Sequence, residues 1–177
     1  MKKIVFIEGL PGVGKTYLVN EIRKLCLKDV YVVDEIINQD IENPFIDSED
    51  KFLLNDEMKI SKYDAGTIII DRGPISTLVY NQVLHLIDNE YDSSLVEKWF
   101  KQFISLYENN GTYTYYLNSP GVYKPSLNDP NNPFGSIENL KLTHEITLFN
   151  LKKYAKNYKL FNYNKKNIKE LLNEIID

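Results

Sequence analysis

Residues 8–17 read EGLPGVGKTY, and the conformation of this stretch decides the fold. Its three glycines and one proline make it a poor helix and a poor strand, so it has to be a loop. Before it stands a short apolar run, KKIVFI (2–7). After it comes LVNEIRKLC (18–26), where Leu18, Val19, Ile22 and Leu25 recur at helical spacing. The chain therefore passes from a strand, through a glycine-rich loop, into a helix.

Outward from this unit, strand and helix signals alternate. Val30–Val33 reads as a second buried strand, and Lys51–Tyr63 carries a weaker helical pattern through Phe52, Leu53 and Ile60. Thr67–Ile70 is entirely β-branched and reads as a third strand. Pro74 suits the first turn of the next helix, with Ile75, Leu78, Val79, Val83, Leu86 and Ile87 as its apolar face. Ser94 and Glu97 have the spacing of a capping box ahead of Trp99, Phe100, Phe103 and Ile104. Thr112–Leu117 is a fourth strand, and a loop rich in Pro, Gly, Asn and Asp runs from about Asn118 to Gly135. Ser136–Tyr158 is mostly helical, Leu160–Tyr163 is a fifth strand, and a last helix spans Asn167–Ile176. Such alternation implies βαβ units, hence a parallel sheet with helices on both faces. The 177 residues fit one domain, without repeats or an interdomain linker. In such sheets ligands bind at the carboxyl ends of the strands.

The composition is that of an ordinary globular protein, 43% hydrophobic and 26% charged. A net charge of −4 without a basic stripe argues against a nucleic-acid partner. Cys26 is the only cysteine, so no intrachain disulfide forms and a reducing compartment fits. The N-terminus runs into a strand without a signal-peptide layout, and no apolar run reaches the ~18 residues of a spanning helix. A cytoplasmic location is expected, in the host cell if the chain is viral. His85, His144 and Cys26 offer no zinc spacing. Trp99, Phe100 and Phe103 are most simply core, although they could also wall a pocket.

Gly9 to Thr16 match G-x-x-x-x-G-K-S/T at every fixed position, in the strand–loop–helix context the pattern needs. Glycines let successive N–H groups turn inward around an anion, and the following helix adds its positive end. Gly9, Pro11, Gly12, Val13, Gly14, Lys15, Thr16 and Tyr17 are the expected nucleotide-binding residues. Lys15 can reach the β- and γ-phosphates of ATP, and the Thr16 hydroxyl can bind Mg²⁺. A second signal, Asp71-Arg72-Gly73-Pro74, follows the third strand. A carboxylate there can hold Mg²⁺ directly or through water; the blander alternative is that Asp71 caps the next helix. The planar fork of Arg72 suits an anionic group or a carboxylate.

With these two motifs in hand, FIEGLPGVGKTY followed by DRGP resembles the thymidylate kinase and deoxynucleoside kinase branch of the P-loop kinases. That resemblance implies a three-layer P-loop NTPase sandwich, with a five-stranded parallel sheet in the order 2-3-1-4-5 and a lid loop. It implies Arg72 facing the phosphate acceptor and Asp71 facing Mg²⁺. It also implies a carboxylate base after the second strand, where Asp34 and Glu35 stand, and Glu35 is favoured. A hydroxyl acceptor must lose a proton as it attacks, whereas a phosphate acceptor needs no base. The Asp-Arg pair looks more like thymidylate kinases and so favours a phosphate acceptor. The 118–135 loop stands where these kinases carry a lid, and its composition suits closure over substrate. Family lids bring an arginine, but no arginine follows Arg72. Lys124 is the only cation in the loop: either it substitutes, or the lid cation is missing. Asn164-Lys165-Lys166-Asn167 lacks the aspartate of a GTPase motif and suits a loop over adenine. Related kinases are often dimers through helices beside the sheet. The expected activity is ATP- and Mg²⁺-dependent transfer of a phosphoryl group to a small molecule, a nucleoside monophosphate or nucleoside. The alternatives are a kinase of another metabolite or an antibiotic, and a nucleotide-binding regulatory module with weak turnover.

Overall fold

Five strands pair in parallel in a computed structural model that describes residues 2–42, 49–88, 90–118, 123–125, 131–162 and 168–176. They are β1 (Lys2–Glu8), β2 (Val30–Val33), β3 (Gly66–Asp71), β4 (Thr112–Asn118) and β5 (Tyr158–Asn162). Among the described residues they form one sheet in the order β2-β3-β1-β4-β5, the expected order. The helices are α1 (Lys15–Lys24), α2 (Glu49–Ser61), α3 (Pro74–Ile87), α4 (Ser94–Phe100), α5 (Ile104–Tyr107), α6 (Ile137–Tyr154) and α7 (Ile168–Ile176).

Strand periodicity divides the core into two layers. Ile4, Phe6, Ile68, Ile70 and Tyr116 face one side, against α3, α4 and α6. Val5, Ile7, Ile69, Tyr115 and Leu117 face the other, against α1 and α7. The central strand β1 is almost wholly buried, as a parallel strand covered on both faces must be. Phe100 and Phe103 are buried in the first layer, and Trp99 packs against it while its indole N–H donates to Glu57 Oε1 (2.9 Å). No described helix is long and apolar enough to cross a membrane.

Several boundaries differ from the pattern reading. The long helix stops at Tyr154, not Tyr158, because Asn157 O already accepts from Thr114 N–H and Tyr158 pairs with β4. The fifth strand accordingly starts at Tyr158; its expected end, Tyr163, lies outside the described residues, as do Asn164–Asn167. The capping box at Ser94 is replaced by Asp92. Its carboxylate accepts from Ser94 N–H and Ser94 Oγ, both at 2.9 Å, a carboxylate being the stronger acceptor. Glu97 instead receives the Ser93 hydroxyl at 3.3 Å. The weak pattern of α2 also has a cause: its buried face carries Asn55, Asp56 and Lys59 beside Leu53.

Candidate active site

The carboxyl ends of β1, β2 and β3 meet around the Gly9–Gly14 loop. Gly9 leaves β1 with φ 148°, and a Cβ there would stand 2.7 Å from Leu117 O. Neither condition admits another residue. Val13 turns its side chain into the core, and its N–H lies 3.4 Å from Leu10 O. Gly14 caps α1 in the left-handed region, and the first helical bond runs from Leu18 N–H to Gly14 O (3.0 Å). An α-helix leaves the N–H groups of its first turn without intrahelical acceptors, so Lys15 and Thr16 open α1 where an anion is favoured. Pro11 is half-buried, while Gly12, Thr16 and Tyr17 are exposed.

Lys15 is buried, and its ammonium donates to Gly9 O (2.9 Å) and Leu10 O (3.1 Å). Burial pulls its pKa from 10.5 down to about 7, and Arg72 adds to the fall. Glu35, Asp71 and Glu8 act against it, so all four charges converge on Lys15. Asp71 ends β3 beside Ile7. Its carboxylate is buried, and Oδ1 has no hydrogen-bond partner among the described residues. Burial pushes its pKa up, and Lys15 opposes the rise.

Arg72 adopts φ 58°, its N–H donating to Ile7 O (3.0 Å). Its Nε lies 2.8 Å from Glu35 Oε1, an ion pair whose N–H points away from a true hydrogen-bond line. The guanidinium also stands over the Phe134 ring, 5.6 Å from its centroid. Of the two carboxylates after β2, Glu35 enters this cluster, whereas Asp34 pairs with Arg23 at the surface (2.7 Å).

Residues 119–122 and 126–130 of the expected lid lie outside the described residues. Lys124 is exposed, and nothing described joins it to the cluster. The end of this loop is tied down: Asn132 is buried, its Nδ2 reaches Tyr80 Oη (3.3 Å), and Asn139 Nδ2 donates to Asn132 O (2.8 Å). This fixes Phe134 over Arg72.

Sequence reasoning missed Glu8. Fully buried, it accepts from Gly73 N–H (2.8 Å) and from the Ser76 hydroxyl. A charged residue closing an apolar strand next to the glycine-rich loop was the available signal. Gly73 in turn has no room for a side chain, since a Cβ would lie 2.4 Å from Phe6. His144, set aside for want of metal spacing, holds Tyr116 Oη at 2.6 Å through Nδ1.

No family model matches the chain, and no curated protein matches it. Solved structures do. Thymidylate kinase from Candida albicans superposes with a TM-score of 0.63 at 15% identity, over 98% of this chain and 89% of that one. Thymidylate kinase from Ehrlichia chaffeensis gives 0.62 at 15%, over 99% and 97%. Deoxyadenosine kinase from M. mycoides, solved with bound dATP, gives 0.62 at 17%, over 98% of each chain. The fold is that of the nucleoside and nucleotide kinases of the P-loop class.

Proposed function

We propose that the chain is an ATP- and Mg²⁺-dependent phosphotransferase acting on a nucleoside or nucleoside monophosphate, with the nucleoside hydroxyl as the favoured acceptor. The observation that carries this reading is the convergence of Lys15, Asp71, Arg72 and Glu35 at the strand ends, with Glu35 on the Arg72 guanidinium.

The residues present fit the nucleotide and its metal. Lys15 rests on two loop carbonyls that phosphate oxygens would replace, and the loop glycines allow close backbone approach. Asp71 Oδ1 is a buried oxygen without a partner among the described residues, which suits a hard cation. Thr16 and Asp71 would hold Mg²⁺, which supplies neutralising charge to the phosphates.

The chain's own groups then divide the work. Lys15 and the start of α1 bind and orient the phosphates. Arg72, aimed by Phe134 and Glu35, stabilises negative charge on the transferred group. Glu35 accepts the proton that an attacking hydroxyl sheds. A phosphate acceptor at Arg72 would face the Glu35 carboxylate at close range, and like charges repel. This moves the preference from the phosphate acceptor, favoured by the Asp-Arg motif alone, to a hydroxyl. The test is transfer from γ-labelled ATP with Mg²⁺ across nucleosides, nucleoside monophosphates and antibiotics. Labelled nucleoside monophosphate supports the reading, labelled diphosphate returns the preference to the phosphate acceptor, and no labelled product in any class overturns it.

A further inference from the structure

Arg72 and Glu35 come from different strand ends, and neither is fixed by its own element. Glu35 is half-exposed on a loop, and Arg72 sits in a left-handed turn. Both are held from behind by one face of α2. Asn55 Nδ2 donates to the Glu35 carbonyl (2.9 Å), while Asn55 Oδ1 accepts from Ile37 N–H (2.8 Å) and Asn38 N–H (3.0 Å). Four residues on, Lys59 Nζ donates to the Arg72 carbonyl (2.8 Å). Residues four apart lie side by side on a helix, so the two anchors are neighbours on α2.

The anchors are themselves fixed. Lys59 is paired with Asp56 Oδ1 at 2.6 Å, and both side chains are about as buried as any in the core, at 2% and 3% exposure. Asp56 Oδ2 accepts from the Thr77 hydroxyl of α3 (2.6 Å). A buried charge pair is costly unless its remaining hydrogen-bonding capacity is met; here it is met by Thr77 and by the Arg72 carbonyl. An apolar pair would fill the same space at lower electrostatic cost, yet it could not hold a carbonyl.

We infer that Asn55 and Lys59, with Asp56 as the counter-ion of Lys59, are positioning residues that set the separation and aim of the Glu35–Arg72 pair through their backbone carbonyls. Its meaning for acceptor binding rests on the proposed kinase reading, but its geometry does not.

The chain contains only two arginines, Arg23 and Arg72, so the arginine Nε–H region of a proton–nitrogen correlation spectrum holds two signals. Arg23→Lys identifies the Arg72 signal as the survivor. In wild type that nitrogen is buried, so its proton should be protected from solvent exchange. In Asp56→Asn/Lys59→Met, which removes both charges and keeps the volume, its protection should fall at least about tenfold. The KM for the acceptor found by labelled transfer should rise about tenfold, with the KM for ATP unchanged. Should that variant not fold, Asn55→Asp replaces it, keeping the acceptor for Ile37 and Asn38 while losing the donor to Glu35. An Arg72 signal with wild-type position and protection in a folded variant overturns the inference. If no acceptor is ever found, the spectrum still decides the positioning role, and only the kinase reading falls.

Discussion

The backbone N–H of Gly73 donates to Glu8 Oε1 at 2.8 Å, bonding the end of the central strand to the turn that carries Asp71 and Arg72. Burial pushes the Glu8 carboxyl from 4.5 up to about 7. A carboxyl that holds its proton more tightly folded than unfolded stabilises the fold fully below 4.5, and that stability is lost as the pH rises through about 7. The shift corresponds to about 3 kcal/mol. Glu8→Gln keeps an acceptor for Gly73 and cannot ionise, so it should flatten the fall in melting temperature between about pH 5 and 7. Glu8→Ala strands the Gly73 N–H and should cost roughly 2–4 kcal/mol. Melting temperature against pH for the three proteins is the measurement, and an unchanged slope in Glu8→Gln would show that Glu8 does not titrate there.

Lys15 gives a binding signature. Its pKa, lowered to about 7 by burial, should rise when phosphate oxygens replace the Gly9 and Leu10 carbonyls. Nucleotide binding at about pH 8 should therefore take up close to one proton, read as the dependence of calorimetric heat on buffer ionisation enthalpy. Lys15→Met should abolish the uptake and lower phosphoryl transfer roughly a thousandfold. The depressed pKa means that Lys15 favours the fold only at high pH, and this is lost as the pH falls through about 7. The variant should therefore not melt lower at neutral pH.

Under the proposed reading, a change at Asp71 should separate turnover from binding. Asp71→Asn removes the negative charge suited to the cation but leaves the Gly9–Gly14 loop intact. Turnover should fall roughly a hundredfold and require more Mg²⁺, with nucleotide affinity largely kept. Titrating Mg²⁺ against activity checks this; a wild-type curve would make Asp71 only a structural residue at the end of β3.

Much of the fold was legible in the sequence because it rests on local signals. Thr67–Ile70 could be little else than a buried strand, and the glycines at 9, 12 and 14 needed a loop between strand and helix. Strand order followed from the resemblance and not from periodicity, since pairing is non-local. Buried polar groups were invisible for a related reason. Asn55, Asp56 and Lys59 weaken the apolar pattern of α2, and only the fold shows that their partners are Glu35, Thr77 and Arg72. Glu35 could be preferred to Asp34 only weakly, because neighbours on a loop have no periodicity. Its contact with Arg72 is a tertiary fact.

The most direct test of the account is kcat for Glu35→Gln on the best acceptor from labelled transfer, measured beside Arg72→Lys. A hydroxyl acceptor that gives its proton to Glu35 predicts a loss of about a hundredfold or more in kcat for Glu35→Gln. Arg72→Lys should also lose activity, because lysine cannot reproduce the planar fork. Wild-type kcat in Glu35→Gln, with a raised acceptor KM in Arg72→Lys, would contradict the account and make the acceptor a phosphate.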